Sequence, residues 1–331
     1  MQCDRPTAYV ACLAKDWPRR YPRKQGGLAL DPIELTILWI IASLFLFGAL
    51  IIWLASLVLD DSSKVRALWT TYATEFVIVG LVLVPAFVGG VFFAGVMALL
   101  SLGALWEFYG LGGDQFPLLF KIVGAIAGSA IFVSAYWFDS ATPMLAIVPI
   151  ATTVLLSINS FMPVSAAMPK HLSLALLGII YPCLFLAHLI LIEKVPNGFI
   201  AIFFMYAIVE THDSFALLMG QLFGRRKIFP QLSPKKTYEG SFFGILSALL
   251  MAVLLGWFVT GWSLLHSIGA ALLIVLFTLF GDLAASKLKR DAGVKDFGNV
   301  LPRQGGILDI YDSLIFASPM FYLYLLLTAH S

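Results

Sequence analysis

The feature that most constrains this chain is a succession of long apolar runs, nearly free of charge and separated by short polar connections. A run of about 20 residues crosses roughly 30 Å of hydrocarbon as a helix, and in lipid each segment must satisfy its own backbone hydrogen bonds. Strands of a membrane barrel would alternate apolar with polar residues, and these runs do not. Of the 331 residues, 60% are hydrophobic and 12% charged, which leaves too little polar surface for a water-soluble globule. Candidate spans lie at roughly 33–59, 70–90, 91–109, 118–137, 143–161, 173–192, 198–222, 241–260, 264–284 and 309–329. The expected fold class is all-α: a polytopic membrane helix bundle with about ten transmembrane helices. Cys3, Cys12 and Cys183 have neither the number nor the spacing of a disulfide framework or a zinc site.

Charge is confined to a few segments. Positive residues favour the cytoplasmic side of a membrane, so each basic connection bears on orientation. Connections 60–66, 223–240 and 285–308 fall on one face if every run spans, and that face is expected to be cytoplasmic. The same count sends the six basic residues of the N-terminal segment to the opposite face, against the rule, which leaves three readings: the first run does not span, that segment is atypical, or the start codon is mis-assigned. Small residues at Gly124, Ala127, Gly128 and Ala130 permit close helix contact, within one chain or between two copies as a homodimer.

Ionisable residues inside apolar spans are costly and mark candidate sites. Glu75, Glu107 and Lys121 lie near run ends, where a structural role at the interface is as reasonable as a functional one. His212 alone reads as a packed or hydrogen-bonded histidine. Glu210 and Asp213 stand three apart and lead into the first basic stretch, while Asp282 leads into the second. That second stretch has the parts for phosphate chemistry: Lys289, Arg290 and Lys295 to neutralise a polyphosphate, Ser286 to donate to a phosphate oxygen, and Gly305-Gly306 to allow close approach. Asp309 and Asp312 project the same way from the start of the last helix, and with Asp282 they form an all-oxygen set suited to Mg2+. The alternative is a basic loop that binds anionic lipid, its carboxylates merely pairing with its cations. In the first stretch, Ser233-Pro-Lys-Lys-Thr237 reads either as the opening of a helix that holds phosphate or as an ordinary positive-inside loop. Nowhere does the Gly-Lys-Ser or Gly-Lys-Thr ending of a P-loop occur, so a bound nucleotide must be held at the membrane surface.

These two stretches resemble the phosphatidate cytidylyltransferases, or CDP-diacylglycerol synthases. Ser286, Leu288, Lys289, Arg290, Lys295, Asp296, Gly298, Leu301, Pro302, Gly305, Gly306, Asp309 and Asp312 stand where that family's signature has them, over 27 residues. Upstream, Asp213-Ser214, Phe223-Gly224, Ser233 to Thr237 and Glu239-Gly240 are similar to a second conserved block. Three positions depart: Gln304 stands for the usual His, Ile310 for Arg and Phe215 for a small residue, marking a divergent member.

The resemblance implies a membrane domain over 67–331, preceded by an added basic segment and helix over 1–66. It implies CTP and phosphatidic acid, or a related lipid phosphate, as substrates in a cytoplasmic (inner) membrane, with the site loops facing the cytoplasm. Ser286, Lys289, Asp309 and Asp312 would be catalytic, and Asp213, Asp282, Asp309 and Asp312 would hold Mg2+. Ser233, Lys235, Lys236, Thr237, Glu239, Arg290, Lys295, Gly305 and Gly306 would bind substrate. Competing readings are a CTP-dependent lipid or polyprenol kinase, an inactive paralogue and a multi-pass transporter. A transporter would place its charges near mid-bilayer in repeated halves, which this sequence lacks. No nucleic-acid partner is indicated, since phosphates and membrane orientation account for the basic stretches.

Overall fold

The computed structural model describes residues 32–58, 62–301 and 304–328. Among them are ten helices long and apolar enough to cross a membrane, each on one of the expected spans. They are α1 (Pro32–Val58), α2 (Ser62–Val88), α3 (Gly90–Gly110), α4 (Leu118–Trp137) and α5 (Thr142–Ser160), then α6 (Met168–Glu193), α7 (Gly198–Phe223), α8 (Tyr238–Thr260), α9 (Leu264–Asp291) and α10 (Ile307–Thr328). The chain is an integral membrane protein. Its basic N-terminal segment and the motif residues Pro302 and Arg303 lie outside the described residues.

Helix α6 is the hub, with 78% of its span buried against 6% for α1. Pro182 offers no N–H to the helical ladder, and the helix widens to a π-helix over Ile179–Phe185. Ser101 of α3 donates to the Pro182 carbonyl at 2.9 Å and steadies that turn. The small residues of α4 serve contacts within the chain: Gly124 faces Tyr109 of α3 and Gly128 faces Cys183 of the π-helix. At one end of the bundle α2 passes to α3 through Gly89 and Gly90, both at positive φ, and the Glu193 carboxylate accepts from Gly90 N at 3.2 Å. At that same end Lys194 bonds the carbonyls of Tyr136 and Phe138.

The opposite end differs from expectation in two places. Ser233–Thr237 does not open a helix; it is strand β2, antiparallel to β1 (Lys227–Phe229). Thr237 is instead the extended residue that caps α8, its hydroxyl accepting from Gly240 N at 3.1 Å, so the helix begins after the motif. The second basic stretch is likewise not all loop. Helix α9 continues to Asp291, supported by Ala284, Ala285 and Leu288 and by the Lys287–Asp291 ion pair one turn apart. It stops where Gly293 turns to positive φ. Ser286, Lys289 and Arg290 therefore ride on a rigid helix.

Helices α9 and α10 meet closely at Gly281, where a side chain would run into the Asp312 carbonyl oxygen and the Phe316 ring. Replacing Gly281 by Leu should separate the helices and cost about 1–3 kcal/mol by overpacking. Thermal unfolding in detergent measures this, and an unchanged melting temperature would refute the tight contact.

Candidate active site

Asp282, Ser286 and Lys289 follow one another at spacings of four and three, on one face of α9. Ser286 Oγ donates to Asp282 Oδ1 at 3.3 Å. Strand β2 brings Lys236 onto the same carboxylate, Nζ to Oδ2 at 2.6 Å. One turn further along, Lys289 pairs with Asp309 at 2.6 Å, with side chains only 13% and 5% exposed. Asp309 Oδ2 also accepts from Phe297 N at 2.7 Å and Gly306 N at 3.0 Å. Lys289 lies over the Phe297 ring, 5.2 Å from its centroid. Asp309 thus ties the far end of α9, the following loop and the first turn of α10 into one unit. Gly305 makes the fit possible: its φ is +95°, and a side chain there would collide with the Asp309 carboxylate.

The first turn of α10 has free N–H groups that need acceptors. Glu107 of α3 supplies both of its oxygens, Oε1 to Ile307 N and Oε2 to Leu308 N, each at 2.9 Å. Its negative charge also suits the positive end of the helix dipole. Gly298 and Gly306 are both packed so closely on this carboxylate that a side chain at either would strike it. Gln304 donates to Glu75 Oε1 of α2 at 2.7 Å, so the residue that replaces the usual His anchors the loop to another helix. Neither partner is legible in sequence beyond the bare fact of a carboxylate in an apolar run. Lys121, by contrast, sits over the Trp106 ring at 5.0 Å in an interfacial role.

Asp312 is buried, 8% exposed, and Oδ1 accepts from Ser313 N at 2.6 Å. Gly281 packs against the Asp312 carbonyl, which sets this residue beside Asp282 of α9. Asp213 Oδ1 is 2.8 Å from Nδ1 of His212, whose ring is buried against α8 at Gly244. Helices α9 and α10 thus bring Asp282 and Asp312 side by side at Gly281, with Lys236 on Asp282 and Lys289 on Asp309. The remaining expected residues have other engagements. Thr237 caps α8, and Glu239 Oε2 accepts from Arg225 N and Arg226 N at 3.1 and 3.3 Å, closing the hairpin. Arg290 reaches the Val294 carbonyl at 3.3 Å, Lys235 and Lys295 are exposed, and Ser233 stands at the start of β2.

Among the described residues, no three His, Cys, Asp or Glu side chains already form a metal-holding group. The donor chemistry nonetheless fits magnesium, which typically takes one or two protein carboxylates and completes its shell with water and substrate phosphates. Asp282 and Asp312 supply such oxygens.

The sequence profile of the Cytidylyltransferase family matches residues 69–328, from early in α2 to the end of α10, and the chain belongs to that family. Among individual relatives, it is 41% identical over 137 residues to a phosphatidate cytidylyltransferase of Synechocystis, covering 41% of this chain and 46% of that protein. It is 36% identical over 143 residues to a phosphatidate cytidylyltransferase of Aquifex aeolicus, covering 43% of this chain and 53% of that one. A similar match, 38% over 132 residues, covers 40% of this chain and 44% of the Escherichia coli protein named uncharacterized protein YnbB. The chain thus spans about half the length of the curated relatives it matches.

Glu107→Ala would leave two N–H groups of α10 without an acceptor, and should lower stability by about 1–3 kcal/mol. Glu107→Gln keeps one acceptor oxygen and should lose less. Equal melting temperatures for wild type and both variants would refute the capping role.

Proposed function

We propose that the protein is a phosphatidate cytidylyltransferase, joining CTP and phosphatidic acid to give CDP-diacylglycerol and pyrophosphate. The observation that carries this reading is the grouping of carboxylates and ammonium groups at one end of the bundle: Lys236 on Asp282, Lys289 on Asp309, and Asp312 where α9 and α10 touch at Gly281. Such a set offers cations to phosphate oxygens and oxygen donors to a hard metal ion.

In the reaction, a phosphate oxygen of the lipid attacks the α-phosphorus of CTP. The new P–O bond forms as the bond to the β-phosphate oxygen breaks, and pyrophosphate leaves with that electron pair. The attacking phosphate has a second pKa of about 6 and is already an anion near neutrality, so no strong general base is required. Catalysis rests on positioning and on neutralising charge. Lys289, fixed by Asp309 and Phe297, presents its ammonium at the locus, with Arg290 and Lys295 exposed on the same stretch to meet the triphosphate. Lys236, held on Asp282, is placed with Ser233 and Lys235 of β2 to receive the lipid phosphate. Ser286 orients Asp282. Asp282 and Asp312, with Asp213 next to them, would hold Mg2+, which would supply charge stabilisation for the phosphates. Asp309, whose oxygens engage Lys289 and two backbone N–H groups, positions Lys289 and the loop. The two basic connections flank this locus, and on the positive-inside rule they would face the cytoplasm, in keeping with a site at the inner face of a cytoplasmic membrane.

Purified protein incubated with labelled CTP, phosphatidic acid and Mg2+ should yield labelled CDP-diacylglycerol and free pyrophosphate. Release of CDP with a newly phosphorylated lipid would mean γ-phosphate transfer and overturn this reading in favour of a kinase. Chelation of magnesium should stop turnover and its return restore it. Asp312→Asn should abolish turnover while the melting temperature holds; full activity in that variant would remove Asp312 from the site.

A further inference from the structure

The π-helix of α6 carries a polar group that none of the roles above uses. Tyr181 is 4% exposed, and among the described residues its hydroxyl meets no hydrogen-bond partner. A buried donor left unpaired costs free energy, and such orphans in a native structure call for a cause. The ring is held firmly: it packs edge-on against Phe316 of α10 at 5.3 Å between centroids, Phe108 of α3 at 6.1 Å and Phe185 of α6 at 6.5 Å. Phe316 stands one turn after Asp312 on α10, and Gly281, next to Asp282 on α9, packs against both the Asp312 carbonyl and the Phe316 side chain, so the ring lies beside the turns that carry two acidic groups of the candidate active site. The tyrosine sits in the widened π-helical turn beside Pro182, the kind of local distortion that is frequent at functional sites. An orphaned donor on a ring packed beside the helix turn that carries Asp312, from a helix that contributes nothing else to the candidate site, has the form of a support waiting for its acceptor.

We propose that Tyr181 is a further positioning residue of this site, its hydroxyl donating a hydrogen bond to the Asp312 carboxylate when that side chain turns to engage the magnesium–nucleotide. This rests on the cytidylyltransferase reading of the site. The bond would fix one carboxylate oxygen and leave the other directed at the ligand, as outer-shell donors commonly do for metal-binding carboxylates.

Tyr181→Phe tests the idea, because it keeps the ring and its three aromatic neighbours and removes only the hydroxyl. Without nucleotide the variant should melt at the wild-type temperature or above it, since an unpaired buried donor has been deleted. The rise in melting temperature on adding magnesium–CTP should shrink, and kcat should fall about tenfold with the KM for lipid little changed. A wild-type thermal shift and wild-type kcat in the variant would overturn the proposal. So would a lowered melting temperature with an undiminished magnesium–CTP shift, which marks a purely structural role. If wild type makes no CDP-lipid yet is stabilised by magnesium–CTP, the assigned reaction fails while the shift still decides the role of Tyr181. A wild-type protein that gains nothing from magnesium–CTP overturns both.

Discussion

A charge next to hydrocarbon must be neutralised by a partner or carried to water, and the end of this bundle that holds the candidate site is organised around that requirement. Lys236 and Lys289 each lie on an aspartate rather than in solvent, and the aspartates come from α9 and α10, whose close approach at Gly281 sets the distance between them. The hairpin, the long α9 and the loop before α10 are the scaffolding that delivers those four side chains to one place. Were the glycines at 281, 305 and 306 replaced by bulkier residues, the charges would remain in the sequence but would lose the geometry that makes them compatible with lipid.

Much of this was legible from the amino-acid order. Helix existence follows from apolar run length because lipid leaves the backbone few alternatives, and each expected span is occupied by a helix. The spacing of Asp282, Ser286 and Lys289, and that of Asp309 and Asp312, places each set together because helical periodicity converts spacing into a shared face. Local competition between signals was harder to read. Basic residues at 287, 289 and 290 look like a loop, yet the ion pair and alanines around them prolong α9. Thr237 belongs to a strand and a helix cap at once, and its cap role fixes where α8 begins.

Long-range pairings were the least legible. A lone carboxylate in an apolar run, such as Glu75 or Glu107, announces a partner without naming it, because the partner is a side-chain amide or a pair of backbone N–H groups in a distant segment. Tyr181 gives no sign at all in sequence, being an ordinary aromatic within an apolar stretch, and its interest comes only from the widened turn and its unpaired buried hydroxyl. Asp309 makes the same point from within the motif: its links to Lys289 and to the backbone N–H groups of Phe297 and Gly306 are not announced by its spacing.

The capping of α10 by α3 bears on how the protein is made. Leu308 lies 201 residues beyond Glu107, and Gln304 lies 229 beyond Glu75. In a chain that emerges from the ribosome in order, α2 and α3 reach the bilayer with those carboxylates unmatched, and they stay so until the last helix is delivered. The final segment is therefore a keystone, completing hydrogen bonds that earlier helices have held open throughout synthesis. A chain cut before α10 would lose Asp309 and Asp312, and would also leave two acidic groups stranded near lipid, a defect that cellular quality control of membrane proteins is well placed to detect.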